Sequence, residues 1–206
     1  MNKFSIIIPI IILPILALFL FNSKNDSDRI TNYPPQNTTI VAFGDSLVEG
    51  VGAVNGSDFV TKLSDLLDRE IINLGNSGDT TEDGVQRLES LLETQPGVAI
   101  ILLGGNDYIK KIPQAETEDN LRLIVRELQG QGTVVVLVGV RGGLLKDQRG
   151  DMYKDLSDEL GAVFVDDVLD GIFAHPDLMS DAIHPNGTGY TAIAEKIYKE
   201  IKFLFE

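Results

Sequence analysis

Thr39-Ile40-Val41-Ala42-Phe43 runs directly into Gly44-Asp45-Ser46-Leu47-Val48-Glu49-Gly50. A short β-branched and aromatic run meets a glycine, and a polar pair with helix-starting character follows. The stretch reads as strand, tight turn and helix. The same grammar recurs down the chain. Residues 71–74, 98–103, 133–138 and 163–165 are further short apolar runs, and 59–68, 80–93, 117–128, 152–160 and 189–205 place apolar side chains three and four apart, as in Leu88, Leu91 and Leu92. A β-α order repeated five times predicts a parallel five-stranded sheet covered by helices on both faces, a three-layer α/β/α sandwich. Five strands are too few for a closed eight-stranded barrel. In open parallel sheets ligands bind beyond the carboxyl ends of the strands, so the loops after the strands are where chemistry is expected.

The rest of the composition narrows the classes. The chain has 206 residues and no cysteine, which excludes disulfide scaffolds, thiolate metal sites, a catalytic thiol and a lipidated cysteine. Its 17 basic side chains against 31 acidic ones give a net charge of −14, which disfavours nucleic acid and anionic lipid as partners. All the acidic residues except Asp26 and Asp28 lie beyond residue 38.

From Phe4 to Phe21 nothing carries a charge. As a helix these residues would span about 27 Å, close to the hydrocarbon thickness of a bilayer. Residues 1–21 are therefore expected to be a membrane-anchor helix with Lys3 before it. A cleaved secretory signal is the alternative, but Leu18-Phe19-Leu20-Phe21-Asn22-Ser23 lacks the pair of small residues that cleavage needs. Residues 22–38, rich in Asn, Ser, Asp and Pro, read as a flexible polar linker, and 39–206 as one domain. The expected location is outside the cytoplasm, anchored, or secreted if the segment is cut.

Within the domain, the glycine-rich turn after the first strand lacks the Gly-Lys-Ser/Thr of a phosphate loop and the G-x-G-x-x-G spacing of a dinucleotide site. What remains is Ser46 on a tight turn. Taken alone, Asp-Ser before a helix is an ordinary N-cap. A serine nucleophile needs a histidine base held by a carboxylate. Only His175 and His184 are present, and Asp181 stands three residues before His184, near enough for one compact turn to join them. His175 has an aspartate only after it and reads as structural or exposed. For a developing oxyanion, Gly78 in Gly75-Asn76-Ser77-Gly78-Asp79 can present a backbone amide, and Asn106 in Gly104-Gly105-Asn106-Asp107 a side-chain amide. Arg141, in Val140-Arg141-Gly142-Gly143, stands at the rim of the expected crevice and is a possible contact for an anionic substrate group. Residues 166–177 briefly resemble a calcium loop, but Val168 occupies a ligand position and Pro176 intrudes, so no metal is expected.

Gly44-Asp45-Ser46-Leu47, Gly78, Gly105-Asn106-Asp107 and Asp181-x-x-His184-Pro185, in this order, resemble the four blocks of the SGNH or GDSL hydrolases, across nearly the whole domain. The thioesterase, lysophospholipase and arylesterase branch is the most similar. The resemblance implies Ser46 as nucleophile, His184 as base and later acid, Asp181 as its orienter, and an oxyanion hole from the Ser46 and Gly78 amides with the Asn106 side chain. It implies no cofactor or metal, and a small-molecule, lipid or glycan ester as substrate. No G-x-S-x-G elbow points instead to an α/β-hydrolase. O-acetyl ester hydrolysis or acyl transfer on envelope glycans, and a non-catalytic acyl- or glycan-binding module, are the rival expectations. The glycine-rich stretch from Val138 to Leu145 is a departure that is not matched to that branch.

Overall fold

The computed structural model describes residues 29–140 and 149–206. Five parallel strands form one sheet: β1 (Ile40–Gly44), β2 (Ile71–Gly75), β3 (Val98–Leu102), β4 (Val134–Val138) and β5 (Val163–Val165), in the spatial order β2-β1-β3-β4-β5. The period of two in each strand divides the core. Ile40, Ala42, Ile100, Leu102, Val136 and Val138 face one cluster, while Val41, Phe43, Ala99, Ile101, Val135 and Leu137 face the other. The first cluster is closed by α2 (Phe59–Leu67) through Phe59 and Leu63, and by α8 (Gly187–Ile201) through Tyr190, Ile193 and Ile197. The second is closed by α4 (Leu88–Leu92), α6 (Gln114–Gly130) and α7 (Arg149–Leu160), with Leu91, Leu121, Ile124 and Tyr153 fully buried. The expected three-layer sandwich is therefore the observed one.

Short helices open directly after two strands: α1 (Ser46–Glu49) after β1, where the glycine turn was expected to lead into a helix, and α5 (Gly105–Ile109) after β3, which is absent from the sequence expectation. A third difference is informative. The helix expected over 80–93 is two helices, α3 (Thr81–Gln86) and α4, broken at Arg87, whose φ of −94° and ψ of 2° leave the helical region. The helix expected over 189–205 begins two residues earlier, at an Asn186 cap accepting from the Thr188 and Gly189 amides, and ends in a 3₁₀ turn over Lys202–Phe205.

The expected anchor over 1–21 lies outside the described residues, among which no helix is long and apolar enough to cross a membrane. The described part of the expected linker is tied to the domain. Thr31 donates its amide to Gly161 (2.8 Å) and its hydroxyl to Leu160 (3.0 Å), and Asn32 Nδ2 donates to the Gln129 and Thr133 carbonyls. Gln129 and Leu160 lie at the carboxyl ends of α6 and α7, where carbonyls have no intrahelical partner, so polar side chains from this segment satisfy them.

The strand order places the sheet's switch point between β1 and β3. From β1 the chain moves outward to β2, then returns past β1 to continue through β3, β4 and β5. A crevice opens where neighbouring loops diverge. Gly44 pairs with Gly75 on one side and Leu102 on the other, so the loops carrying Ser46, Gly78 and Asn106 leave the sheet at one level.

Candidate active site

Ser46 opens α1 with Asp45 as its N-cap, whose Oδ1 accepts the Leu47 amide at 3.0 Å. The first amides of a helix have no intrahelical acceptor, which leaves the Ser46 N–H outside the helix's own ladder. Facing the hydroxyl is the loop between β5 and α8. His184 Nε2 lies 3.1 Å from Ser46 Oγ, and its Nδ1 lies 2.8 Å from Asp181 Oδ2. Asp181 Oδ1 accepts the Ile183 and His184 amides at 2.8 Å each, so the turn that carries the base also clamps its partner. The His184 bond, followed by those two amides, holds the Asp181 carboxyl at about 2, below the usual carboxylate range. Beside an ionised Asp181 the imidazole hydrogen is favoured on Nδ1, which turns the Nε2 lone pair toward Ser46 Oγ, an arrangement chemically able to accept a hydroxyl proton.

Asn106 sits in the first turn of α5 and directs Nδ2 to the Asp79 carbonyl at 2.8 Å, with Asp45 Oδ2 at 3.4 Å. Gly78 has a φ of +87°, where an L side chain would be strained, and a Cβ at this position would meet no atom within 4 Å, so its backbone is open to an approaching group. Lys110 Nζ holds the Gly78 carbonyl at 3.1 Å.

A cavity of about 340 Å³ is lined by Ser46, Asn106 and His184 together with Leu47, Val140, Leu169 and Phe173. Ile109 (56% exposed) and Ile183 (47%) also line it and form an apolar rim. At about 30 Å³ per water-sized group the cavity takes roughly ten such groups, the scale of a medium acyl chain or an aromatic ring. A larger polar groove of about 780 Å³ lies at the amino end of β5, among Arg29, Asp158, Glu159 and Lys199, away from these side chains.

The other sequence candidates fall elsewhere. Arg141 lies outside the described residues. His175 is exposed, with its amide bonded to the Ile172 carbonyl. In the calcium-like stretch, Lys196 Nζ takes the carbonyls of Asp167, Val168 and Asp170.

Three acidic residues shape the site without having a legible role in the sequence. Asp45 is 2% exposed, and burial, with Asp79 and Asp107 nearby, pushes its carboxyl up to about 7 against the pull of the Leu47 amide and His184. Asp107 is fully buried and accepts the Thr81 amide at 2.9 Å and the Thr81 and Thr117 hydroxyls, joining α5 to the start of α3 and to α6. Asp79, 5% exposed, pairs with Arg87. For Asp79 and Asp107 no sequence spacing signals these roles, because the partners lie beyond one helical turn: Arg87 is 8 residues from Asp79, and Thr81 is 26 and Thr117 10 from Asp107.

Residues 42–192 match the GDSL-like lipase/acylhydrolase family. The chain is 28% identical over 179 residues to the esterase TesA of Pseudomonas aeruginosa, covering 80% of this chain and 88% of that one. It is 27% identical over 173 residues to thioesterase 1/protease 1/lysophospholipase L1 of Escherichia coli K12, covering 80% and 83%. Among solved structures, the SGNH-hydrolase family esterase AlinE4 superposes with a TM-score of 0.66 at 34% identity, covering 82% of this chain and 94% of that one.

Proposed function

The chain belongs to the GDSL-like lipase/acylhydrolase family and is an ester-hydrolysing serine hydrolase, and from that premise we propose that Ser46, His184 and Asp181 carry out acyl transfer to water on medium-length carboxylic esters and thioesters. The observation that supports this most directly is the unbroken chain from Ser46 Oγ through both His184 nitrogens to Asp181, set at the wall of an apolar cavity. Ser46 Oγ attacks the ester carbonyl while its proton passes to His184 Nε2. The negative oxygen so formed is received by the Ser46 and Gly78 amides and the Asn106 side-chain amide. Collapse expels the alcohol or thiol, which takes the proton from Nε2, and leaves the acyl group on Oγ. Water then loses its proton to Nε2 and attacks the acyl carbon. The acid departs and the proton returns to Oγ. Asp181 stays ionised throughout and stabilises the imidazolium formed in each half.

The apolar cavity, with Ile109 and Ile183 at its rim, favours acyl or aryl groups over highly polar glycans. The uncharged run from Phe4 to Phe21 supports an anchored domain outside the cytoplasm, a reading tested by whether the full chain stays with membranes after alkaline carbonate extraction. Hydrolysis of p-nitrophenyl esters from acetate to palmitate tests the chemistry. Wild type should turn over with a maximum at intermediate chain length and label with a fluorophosphonate, and Ser46→Ala should lose at least about a thousandfold in kcat and fail to label. Turnover by Ser46→Ala near the wild-type rate refutes the reading.

A further inference from the structure

Among the described residues, the most heavily bonded cation near the site is one that the chemistry above leaves unused. Arg87 stands at the break between α3 and α4 and turns its side chain inward, 27% exposed. Its Nε donates to Asp79 Oδ2 at 2.6 Å and its Nη2 to the Gly44 carbonyl at 3.1 Å, while Nη1 and Nη2 share the Leu74 carbonyl at 3.3 Å. The guanidinium lies 4.4 Å from the centre of the Phe43 ring. One planar group thus holds the carboxyl ends of β1 and β2 and the loop that follows β2. The planar guanidinium presents these donors in a rigid fork, whereas an ammonium carries its three on one atom at the end of a flexible stem.

What Arg87 holds is the frame of the oxyanion donors. Asp79 receives Arg87 on one carboxylate oxygen and Asn76 Nδ2 on the other, so it closes the loop Asn76-Ser77-Gly78-Asp79 on itself. The carbonyl of the same Asp79 is the acceptor that aims Asn106 Nδ2. Gly78 is its immediate chain neighbour. Asn76 also donates its amide to the Gly44 carbonyl at 3.0 Å, the oxygen that Arg87 Nη2 reaches. Two of the three oxyanion donors therefore hang on a residue that Arg87 anchors, while the third, the Ser46 amide, lies two residues beyond Gly44.

We propose that Arg87, acting through Asp79, is the positioning residue of the oxyanion hole, holding the Gly78 amide and the Asn106 side chain in register with Ser46. It touches no reacting atom. The inference rests on the esterase reading and adds to it a residue that matters to kcat without lining the substrate cavity. A clamp needed only for folding would lower stability and leave the active fraction normal. A positioning residue changes the transition state in the folded enzyme, and does so through Asn106.

The test is a kinetic cycle on the full chain with Arg87→Ala, Asn106→Ala and the double variant, each confirmed folded by its melting transition, with p-nitrophenyl butyrate as substrate. Arg87→Ala should lower kcat about 10- to 100-fold, short of the 100- to 1,000-fold typical of deleting a donor outright, with KM within about threefold. In the Asn106→Ala background the same change should cost no more than about threefold further, because residues acting through one element are not additive. Millimolar guanidinium should restore part of kcat to Arg87→Ala and none to Asn106→Ala. If Arg87→Ala does not fold, Arg87→Lys replaces it in the cycle, with the same non-additive loss expected. Unchanged kcat, a rise in KM alone, or losses that multiply independently with Asn106→Ala overturn the proposal while wild type still turns over. A wild type inert to every ester and unlabelled by fluorophosphonate overturns the esterase reading and this one together.

Discussion

Replacing Asp45 by Asn should stabilise the protein at alkaline pH and do almost nothing at pH 4. Asp45 is 2% exposed and has one good hydrogen bond, from the Leu47 amide, with Asn106 Nδ2 no closer than 3.4 Å. Burial, reinforced by Asp79 and Asp107, raises its carboxyl from 3.8 to about 7. Between those values the folded protein keeps a proton that the unfolded chain has lost. Stability therefore falls as pH rises from about 4 to about 7 and is fully reduced above it. A gap of about three pH units at about 1.4 kcal/mol each amounts to about 4 kcal/mol. Asparagine keeps an oxygen for the Leu47 amide and cannot ionise, so the variant escapes that cost. Urea unfolding of both proteins from pH 4 to pH 9, followed by circular dichroism, should show stabilities within about 1 kcal/mol at pH 4. The difference should then grow in favour of Asp45→Asn and level off above pH 8 at up to about 4 kcal/mol. A difference that stays flat across this range, or shrinks as pH rises, refutes the reasoning. Because ionised Asp45 attracts protonated His184, the stabilised variant should also be slower.

Three other outcomes follow from the geometry. Asp181→Asn removes the anion that sets the His184 tautomer and should lower kcat by about a thousandfold or more, read with p-nitrophenyl butyrate at constant KM. In wild type, the stability that the depressed Asp181 carboxyl contributes is present above about pH 4 and lost as pH falls toward 2, a loss the variant should not show on acid titration. Gly104→Ala drives a Cβ into Tyr153 Oη, far inside van der Waals contact, at a φ of +114°, so it should cost about 2–4 kcal/mol in urea unfolding by displacing the Tyr153 bond to the Leu103 carbonyl. Ala182→Leu narrows the cavity from its exposed wall, so kcat/KM for decanoate should fall several-fold more than for acetate in a chain-length series.

The strands were legible because each is a short apolar run between turn residues, and β5 begins and ends where its apolar run does. Ser46, Asp181 and His184 could be picked out of the sequence as candidates for two reasons. Asp181 and His184 lie within one turn of chain, and Ser46 sits where a glycine turn meets a helix. Longer-range features were hidden. The break at Arg87 leaves no mark in a pattern whose Leu88, Leu91 and Leu92 continue the helical period, and the bonds its side chain makes there to Asp79, Leu74 and Gly44 are not encoded by local preference. The described part of the polar segment before residue 38 has linker composition, yet its Thr31 and Asn32 serve the ends of two helices far along the chain.

Taken by itself, the sequence determined the alternation of strand and helix, the chemical types available at the strand ends and the local Asp181–His184 unit, because periodicity, turn chemistry and hydrogen bonds over three residues are short-range. The order β2-β1-β3-β4-β5 was decided only in the tertiary structure, and with it the crevice in which Ser46 and Asn106 line one cavity. So was the 3.1 Å contact across 138 residues between Ser46 and His184. Those depend on which helices cover which face of the sheet, and so on burial shared by the whole core, which no single stretch of chain encodes.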